Sequence, residues 1–116
     1  DLVESLAQSV NSYYYQLALD LGIDRMHDHL STFGFGAPTG IDLTGEASGI
    51  LPSRAWKRAK LDQPWYPGET VIAGIGQGYN VATLPQLAVA TAAIADAGQR
   101  FRPRLVNAMR PSFDVD

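Results

Sequence analysis

Apolar residues recur three and four positions apart at 13, 14, 17, 18 and 21, which predicts a helix from about residue 12 to Leu21, closed by Gly22. A shorter apolar set, Leu2, Val3, Leu6 and Ala7, precedes it, so Ser9-Val10-Asn11 falls on a helix-to-helix turn. Ile23, Met26, Leu30 and Phe33 repeat the helical spacing and predict a second amphipathic helix ending at Gly34, with Asp24 in its first turn where the macrodipole favours an anion. From Phe35 to Pro52 the pattern breaks. Gly36, Pro38, Gly40, Gly45 and Gly49 punctuate Ile41-Asp42-Leu43 and Ile50-Leu51, as in short extended pieces joined by tight turns. Pro52-Ser53 then opens a short helix, Arg54 to about Leu61, with Trp56 as its apolar anchor and a basic outer face.

Gln63 to Gly68 is read as a turn-rich aromatic link. Gly74, Gly76 and Gly78, at every second position of the next segment, suggest backbone passing close to another element, with Gln77 offering a carboxamide there. Thr83 caps a further helix with Pro85 in its first turn, running to Ala97 and stopped by Gly98. That helix is apolar nearly all round, so it is expected in the middle of something larger. Pro103-Arg104-Leu105-Val106 is expected to enter a strand. There is no internal repeat, and the fold class expected is mainly α with short extended segments.

Composition narrows the function. A net charge of −3 and a pI near 5.2 argue against a nucleic-acid footprint. The basic residues cluster, Arg54, Lys57, Arg58 and Lys60 in one group and Arg100, Arg102, Arg104 and Arg110 in another, and both groups are read as solvated faces. With no cysteine there is no disulfide framework and no thiolate metal site. No apolar run approaches the roughly 18 residues that a spanning helix needs. The first residue is Asp1 and the apolar pattern is already running at Leu2, so the chain is expected to be a piece of something longer.

Candidate chemistry is sparse. His27 and His29 lie beside Asp24 and Asp28, but two residues apart on a helix is about 200° of rotation, which turns the imidazoles apart. No metal and no cofactor is expected. The glycine-rich stretch lacks both G-x-G-x-x-G and G-x-x-x-x-G-K-[ST], which sets aside a nucleotide loop. Ser9 and Asn11 remain. Both are preferred N-cap residues and fit a plain helix start. On a rigid corner they also direct a hydroxyl and a carboxamide toward a common point.

The ordered blocks of the sequence carry a resemblance that single residues do not. Ser9-Val10-Asn11 is followed by Tyr13-Tyr14-Tyr15-Gln16-Leu17-Ala18 and Leu21-Gly22-Ile23. Then come Phe33-Gly34-Phe35-Gly36, Thr39-Gly40-Ile41-Asp42-Leu43, Gly45-Glu46, Gly49-Ile50-Leu51-Pro52, Trp65-Tyr66-Pro67-Gly68-Glu69, and Gly74-Ile75-Gly76-Gln77-Gly78-Tyr79 leading into Ala82-Thr83 and Gln86-Leu87-Ala88. This series, to about Val106, resembles the transpeptidase domain of class B penicillin-binding proteins, particularly the elongation-type penicillin-binding protein 2 group.

The resemblance implies a serine acyltransferase with motifs S-x-x-K, S-x-N and K-[ST]-G. Only the middle one is in this chain; the nearest approach to the first, Ser53 and Lys57, is four apart. Residues 1–116 are therefore expected to form part of the transpeptidase domain between the first and third motifs: the helical lobe of the β-lactamase/transpeptidase-like α/β fold, inactive alone. The implied substrate is the D-Ala-D-Ala stem peptide of peptidoglycan, with β-lactams as acylating inhibitors. Ser9 would relay a proton to the leaving amine, and Asn11 would hold the donor amide and help fix the nucleophile's lysine. A periplasmic domain with its membrane anchor outside this chain and a glycosyltransferase partner is implied too. Self-association through residues 84–95 is expected for the isolated chain. Two other readings stay open: a penicillin sensor or β-lactamase relative, and a non-catalytic helical interaction module using Trp56, Trp65 and Tyr66.

Overall fold

The computed structural model describes residues 1–8 and 11–109. Five helices follow in order: α1 (Leu2–Gln8), α2 (Asn11–Ser31), α3 (Arg54–Leu61), α4 (Pro67–Gly74) and α5 (Leu84–Ala95). The break expected at Gly22 occurs inside α2, where that residue leaves the helix at φ 78° and ψ 159°, a region open to glycine alone. The predicted Ile23 helix ends three residues before Gly34; the Thr32, Phe33 and Gly34 amides close successive turns onto His29, Leu30 and Ser31.

The helix not foreseen is α4. Pro67 occupies its first turn, the Tyr66 amide donates to Glu69 Oε2 at 2.9 Å, and its end overlaps the glycines that had suggested backbone passing close to another element. Among the described residues, α2 and α4 make the one extended helix–helix contact. Ile23, Trp65 and Ala73 form its core, with Met26 and Tyr79 packed on them. Trp65 donates from Nε1 to Thr70 Oγ1 at 2.8 Å.

The supposedly basic outer face of α3 hides its central cation. Ser53 caps the helix through Trp56 N at 2.9 Å, while Arg54, Arg58 and Lys60 reach solvent. Lys57 is only 1 % exposed. Its ammonium pairs with Glu69 Oε1 and lies over the Tyr66 ring, 4.6 Å from the centroid, and near the Tyr79 ring at 5.7 Å. The Tyr79 hydroxyl also donates to Glu69 at 3.3 Å. Burial alone would raise the Glu69 carboxyl, but the Lys57 and Tyr66 hydrogen bonds and the Lys57 charge outweigh it and hold it below its ordinary value of 4.5.

The turn-rich stretch is fastened by side chains rather than by a sheet. Among the described residues its one bridge pairs Ile50 with Val81 through both amides, at 2.7 and 3.0 Å. Gln86, 1 % exposed, donates from Nε2 to Ala37 O at 2.8 Å and Ser48 O at 2.6 Å, and accepts from Thr83 N at 3.0 Å. Gly49 lies against Val81 O and Gln86 Oε1, where a Cβ would not fit. Glu46 accepts from Thr39 Oγ1 at 2.6 Å, Thr39 N at 2.8 Å and Gly40 N at 3.0 Å; led by the Thr39 hydroxyl, these bonds lower its carboxyl.

The strand expected at 103–106 does not form. The segment instead runs back along the 39–46 turn, with Leu105 N and Val106 N donating to the two oxygens of Asp42 at 2.5 and 2.9 Å, which lowers its carboxyl, and Arg102 Nε donating to Gly40 O at 2.7 Å. No partner strand is available to it among the described residues.

α5 ends two residues earlier than expected, at Ala95. Gly98 N then donates to Ala93 O at 2.7 Å, with Ala97 and Gly98 both left-handed. Only one side of α5 is covered, at Gln86, Val89, Ala90 and Ala93; Leu84 and Ile94 are 81 % and 72 % exposed. The whole is a slab of 63 × 39 × 19 Å with a radius of gyration of 18.1 Å, against about 13 Å for a compact chain of this length.

Two outcomes follow for stability. Lys57→Ala leaves Glu69 without its buried partner and is expected to cost about 3 kcal/mol, and Gln86→Ala, which strands two carbonyls and one amide, a similar amount of about 3 kcal/mol; urea unfolding of each variant reads both. The folded values of Glu46, Glu69 and Asp42 all lie below their unfolded ones, 4.5, 4.5 and 3.8. Their stabilisation is complete above those values and lost as pH falls through the folded ones. Melting temperature is expected to hold near neutrality and fall below about pH 4.5; a flat profile to pH 3 would contradict it.

Candidate functional site

α1 ends at Gln8 and α2 begins at Asn11. Ser9, the candidate hydroxyl, lies outside the described residues. Asn11 is exposed and stands in the wall of an open cleft of about 300 Å³, with Ser5, Leu6 and Tyr14 beside it and Gly74 and Ile75 at the end of α4. Asn11, Tyr14 and Ala18 are spaced i, i+3 and i+7, so one stripe of α2 runs from the cleft to the α4 contact.

The corner is braced from both sides. Asp1 caps α1, its Oδ1 accepting from Glu4 N at 2.7 Å. Ser5 is buried and its hydroxyl donates to Leu2 O at 2.7 Å, so the 3.2 Å contact with the Tyr14 hydroxyl has Tyr14 as donor. That bond ties α1 to α2. On the other side, a Cβ added at Gly74 would overlap Ala18 Cβ and come within 3.2 Å of Tyr14 O. The glycine is what allows α4 to sit so close.

Chemically, the described residues of the cleft lining offer a carboxamide and hydroxyls, and among them there is no carboxylate, imidazole or amine. Such a set can accept from and donate to a peptide amide. Ser5 and Tyr14 were not foreseen as members of this site, and the Gly74 to Gly78 segment was expected only as supporting structure behind it. For Gly74 the signal was present in the alternating glycines and their implied close approach; for Ser5 and Tyr14 it was not, because a hydroxyl pair nine residues apart has no pattern.

Other candidates separate. His27 Nδ1 lies 3.3 Å from Pro52 O and is half-buried, while the exposed His29 stands edge-on to Phe33 at 5.5 Å. Among the described residues no group of three or more His, Asp or Glu is placed to hold a metal. Ser53 and Lys57, the spacing nearest to S-x-x-K, are a helix cap and a buried ion-pair partner. A larger cavity, about 750 Å³ beside Trp56, Lys60 and His27, lies away from the corner. The interaction surface built on Trp56, Trp65 and Tyr66 is not formed. Trp65 is 9 % exposed and Trp56 is half-buried and packs on Tyr79 at 5.1 Å, so of the three only Tyr66 is fully exposed.

The chain is 44 % identical over 106 residues to peptidoglycan D,D-transpeptidase MrdA of Salmonella typhimurium, an alignment that takes in 91 % of this chain and 17 % of the relative. Its fold matches Pseudomonas aeruginosa PBP2, solved in complex with WCK 5153, at TM-score 0.83 and 52 % identity over 87 % of this chain and 22 % of that one. It also matches Helicobacter pylori PBP2, solved in complex with MreC, at TM-score 0.84 and 35 % identity over 96 % of this chain and 21 % of that one. The chain thus spans about a fifth of the length of the proteins it matches. A family model, penicillin binding protein transpeptidase domain, matches residues 1–115, and the chain belongs to that family.

Proposed function

We propose that this chain is the S-x-N-bearing helical lobe of a peptidoglycan D,D-transpeptidase that works through an acyl-serine intermediate and is acylated by β-lactams. The observation that carries the reading is Asn11 in the wall of a cleft braced by the Ser5–Tyr14 bond and the Gly74 contact. A carboxamide fixed to a helix start can bind an amide without moving first, and fixed geometry is what positioning requires.

The serine nucleophile belongs to a motif not found in these 116 residues. It attacks the carbonyl carbon of the penultimate D-Ala, the C–N bond to the last D-Ala breaks, and an amine of a neighbouring stem peptide then takes the acyl group. Covalent catalysis divides one hard amide exchange into two easier steps. Ser9 passes the nucleophile's proton toward the leaving amine. Asn11 holds the donor amide and orients the lysine that activates the nucleophile. The protein works in the periplasm beside a polymerising glycosyltransferase. No described helix is long and apolar enough to cross a membrane. The bare face of α5, with Leu84, Leu87 and Ile94, is assigned to packing within the complete domain, and the isolated chain self-associates through it.

The test is covalent labelling of the full-length protein with a fluorescent penicillin, timed on a denaturing gel. Ser9→Ala is expected to slow labelling about a hundredfold, the scale of a lost proton relay. Asn11→Ala is expected to slow it about tenfold to a hundredfold, the scale of one or two hydrogen bonds. Stable label in the unaltered protein supports a transpeptidase; label lost within seconds indicates a β-lactamase relative. No label at all, or rates indifferent to both substitutions, would reject the reading.

A further inference from the structure

Gly74 differs from its neighbours in the glycine-rich run. Gly76 and Gly78 both sit at φ +76°, where the left-handed backbone itself favours glycine, whereas Gly74 ends a regular helix and has no positive φ. Helix propensity there favours alanine by about 1 kcal/mol. A glycine at this position is explained by space alone. The space is taken by Ala18 Cβ and, at 3.2 Å from where a Cβ would stand, by Tyr14 O. Both belong to the stripe of α2 that starts at Asn11, and Gly74 lines the same cleft as Asn11. Ala18 is buried, so it cannot turn aside to admit a methyl group.

We infer that Gly74 is a positioning residue for Asn11: by admitting the first half of α2 against the end of α4, it sets the depth of the carboxamide in the cleft. Two features make α2 responsive to that contact. The helix is broken at Gly22, so its first half can shift without dragging the second, which is packed through Ile23 and Met26. Ahead of Asn11, the Tyr14–Ser5 bond transmits a displacement of α2 to α1. A methyl at residue 74 therefore acts on the half of α2 that carries Asn11. The inference rests on the active-site reading of Asn11 proposed above.

The experiment compares acylation of the full-length protein by fluorescent penicillin, with a melting temperature for each form, across Gly74→Ala, Gly74→Ala/Ala18→Gly, Asn11→Ala and Asn11→Ala/Gly74→Ala. Gly74→Ala is expected to slow acylation about tenfold, the effect of a sub-ångström misplacement. Ala18→Gly, which removes the opposing methyl, is expected to bring the rate back to within about threefold of the unaltered protein, because the two sites are in contact and not additive. In the Asn11→Ala background, Gly74→Ala is expected to change nothing further, since the group it positions is gone; a general loss of structure would multiply the two effects. A normal rate for Gly74→Ala, a multiplied effect in the Asn11→Ala background, or no recovery with Ala18→Gly overturns the inference. If Gly74→Ala does not fold, the Ala18→Gly double variant decides: folded with a near-normal rate supports it, and unfolded or slow overturns it. Asn11→Ala acylating at the normal rate rejects the active-site reading itself, whereas a slow Asn11→Ala beside a normal Gly74→Ala rejects only the role of Gly74.

Discussion

A buried ammonium organises the middle of this lobe. Lys57 reaches from α3 to the first turn of α4, where Glu69 already accepts from the backbone that starts the helix. A cation taken out of water is tolerated only with a counter-charge and good geometry. Here the counter-charge is one carboxylate and the rest of the shell is the faces of Tyr66 and Tyr79, whose π-electrons favour a cation. The pair thereby sets where α4 begins. Where α4 ends is set by Gly74 against Ala18, so one helix connects an ion pair at one end to the wall of the cleft at the other.

The same economy runs through the loops. Glu46 gathers Thr39 and Gly40, Asp42 gathers Leu105 and Val106, and Gln86 gathers Ala37, Ser48 and Thr83. In each case a single side chain with two or three bonding sites satisfies backbone groups that a sheet would otherwise satisfy. That is why residues 35–52 hold a definite shape with one β-bridge. Thr39, Gly40, Asp42, Glu46, Gly49 and Gln86, all in blocks that carry the resemblance to transpeptidases, are parts of these clasps.

Much of this was legible beforehand. The helix at Arg54–Leu61, the break at Gly22, the Thr83 cap and the mainly α class followed from spacing and capping chemistry, which act over a few residues. α4 was not legible, because it is only eight residues long with glycines at 68 and 74, and its stability comes from Lys57 and α2 rather than from its own propensities. The inward turn of Lys57 was hidden for a related reason: a lysine among other cations reads as solvated until its carboxylate, twelve residues on, is known to be in reach. At the corner, Ser9 and Asn11 were named by motif alone, and the structure adds the neighbours of Asn11, the hydroxyl pair and the close helix contact that brace it.

The slab is 19 Å thick, about two helix diameters, so nothing in it lies far from the outside. The buried apolar side chains reflect this: alongside Ile23, Leu51, Trp65 and Val89 stand Ala18, Ala73, Ala90 and Ala93. Cohesion of this kind comes from backbones lying close together rather than from bulk in a deep centre. Such a lobe has a one-sided tolerance for change. Its outer positions on α5 can vary in size with little effect inside the layer, whereas each small inner residue has no room to grow, because a single added methylene in a packed layer forces the elements apart. Drift in this sequence is thus open on the faces and closed in the seam.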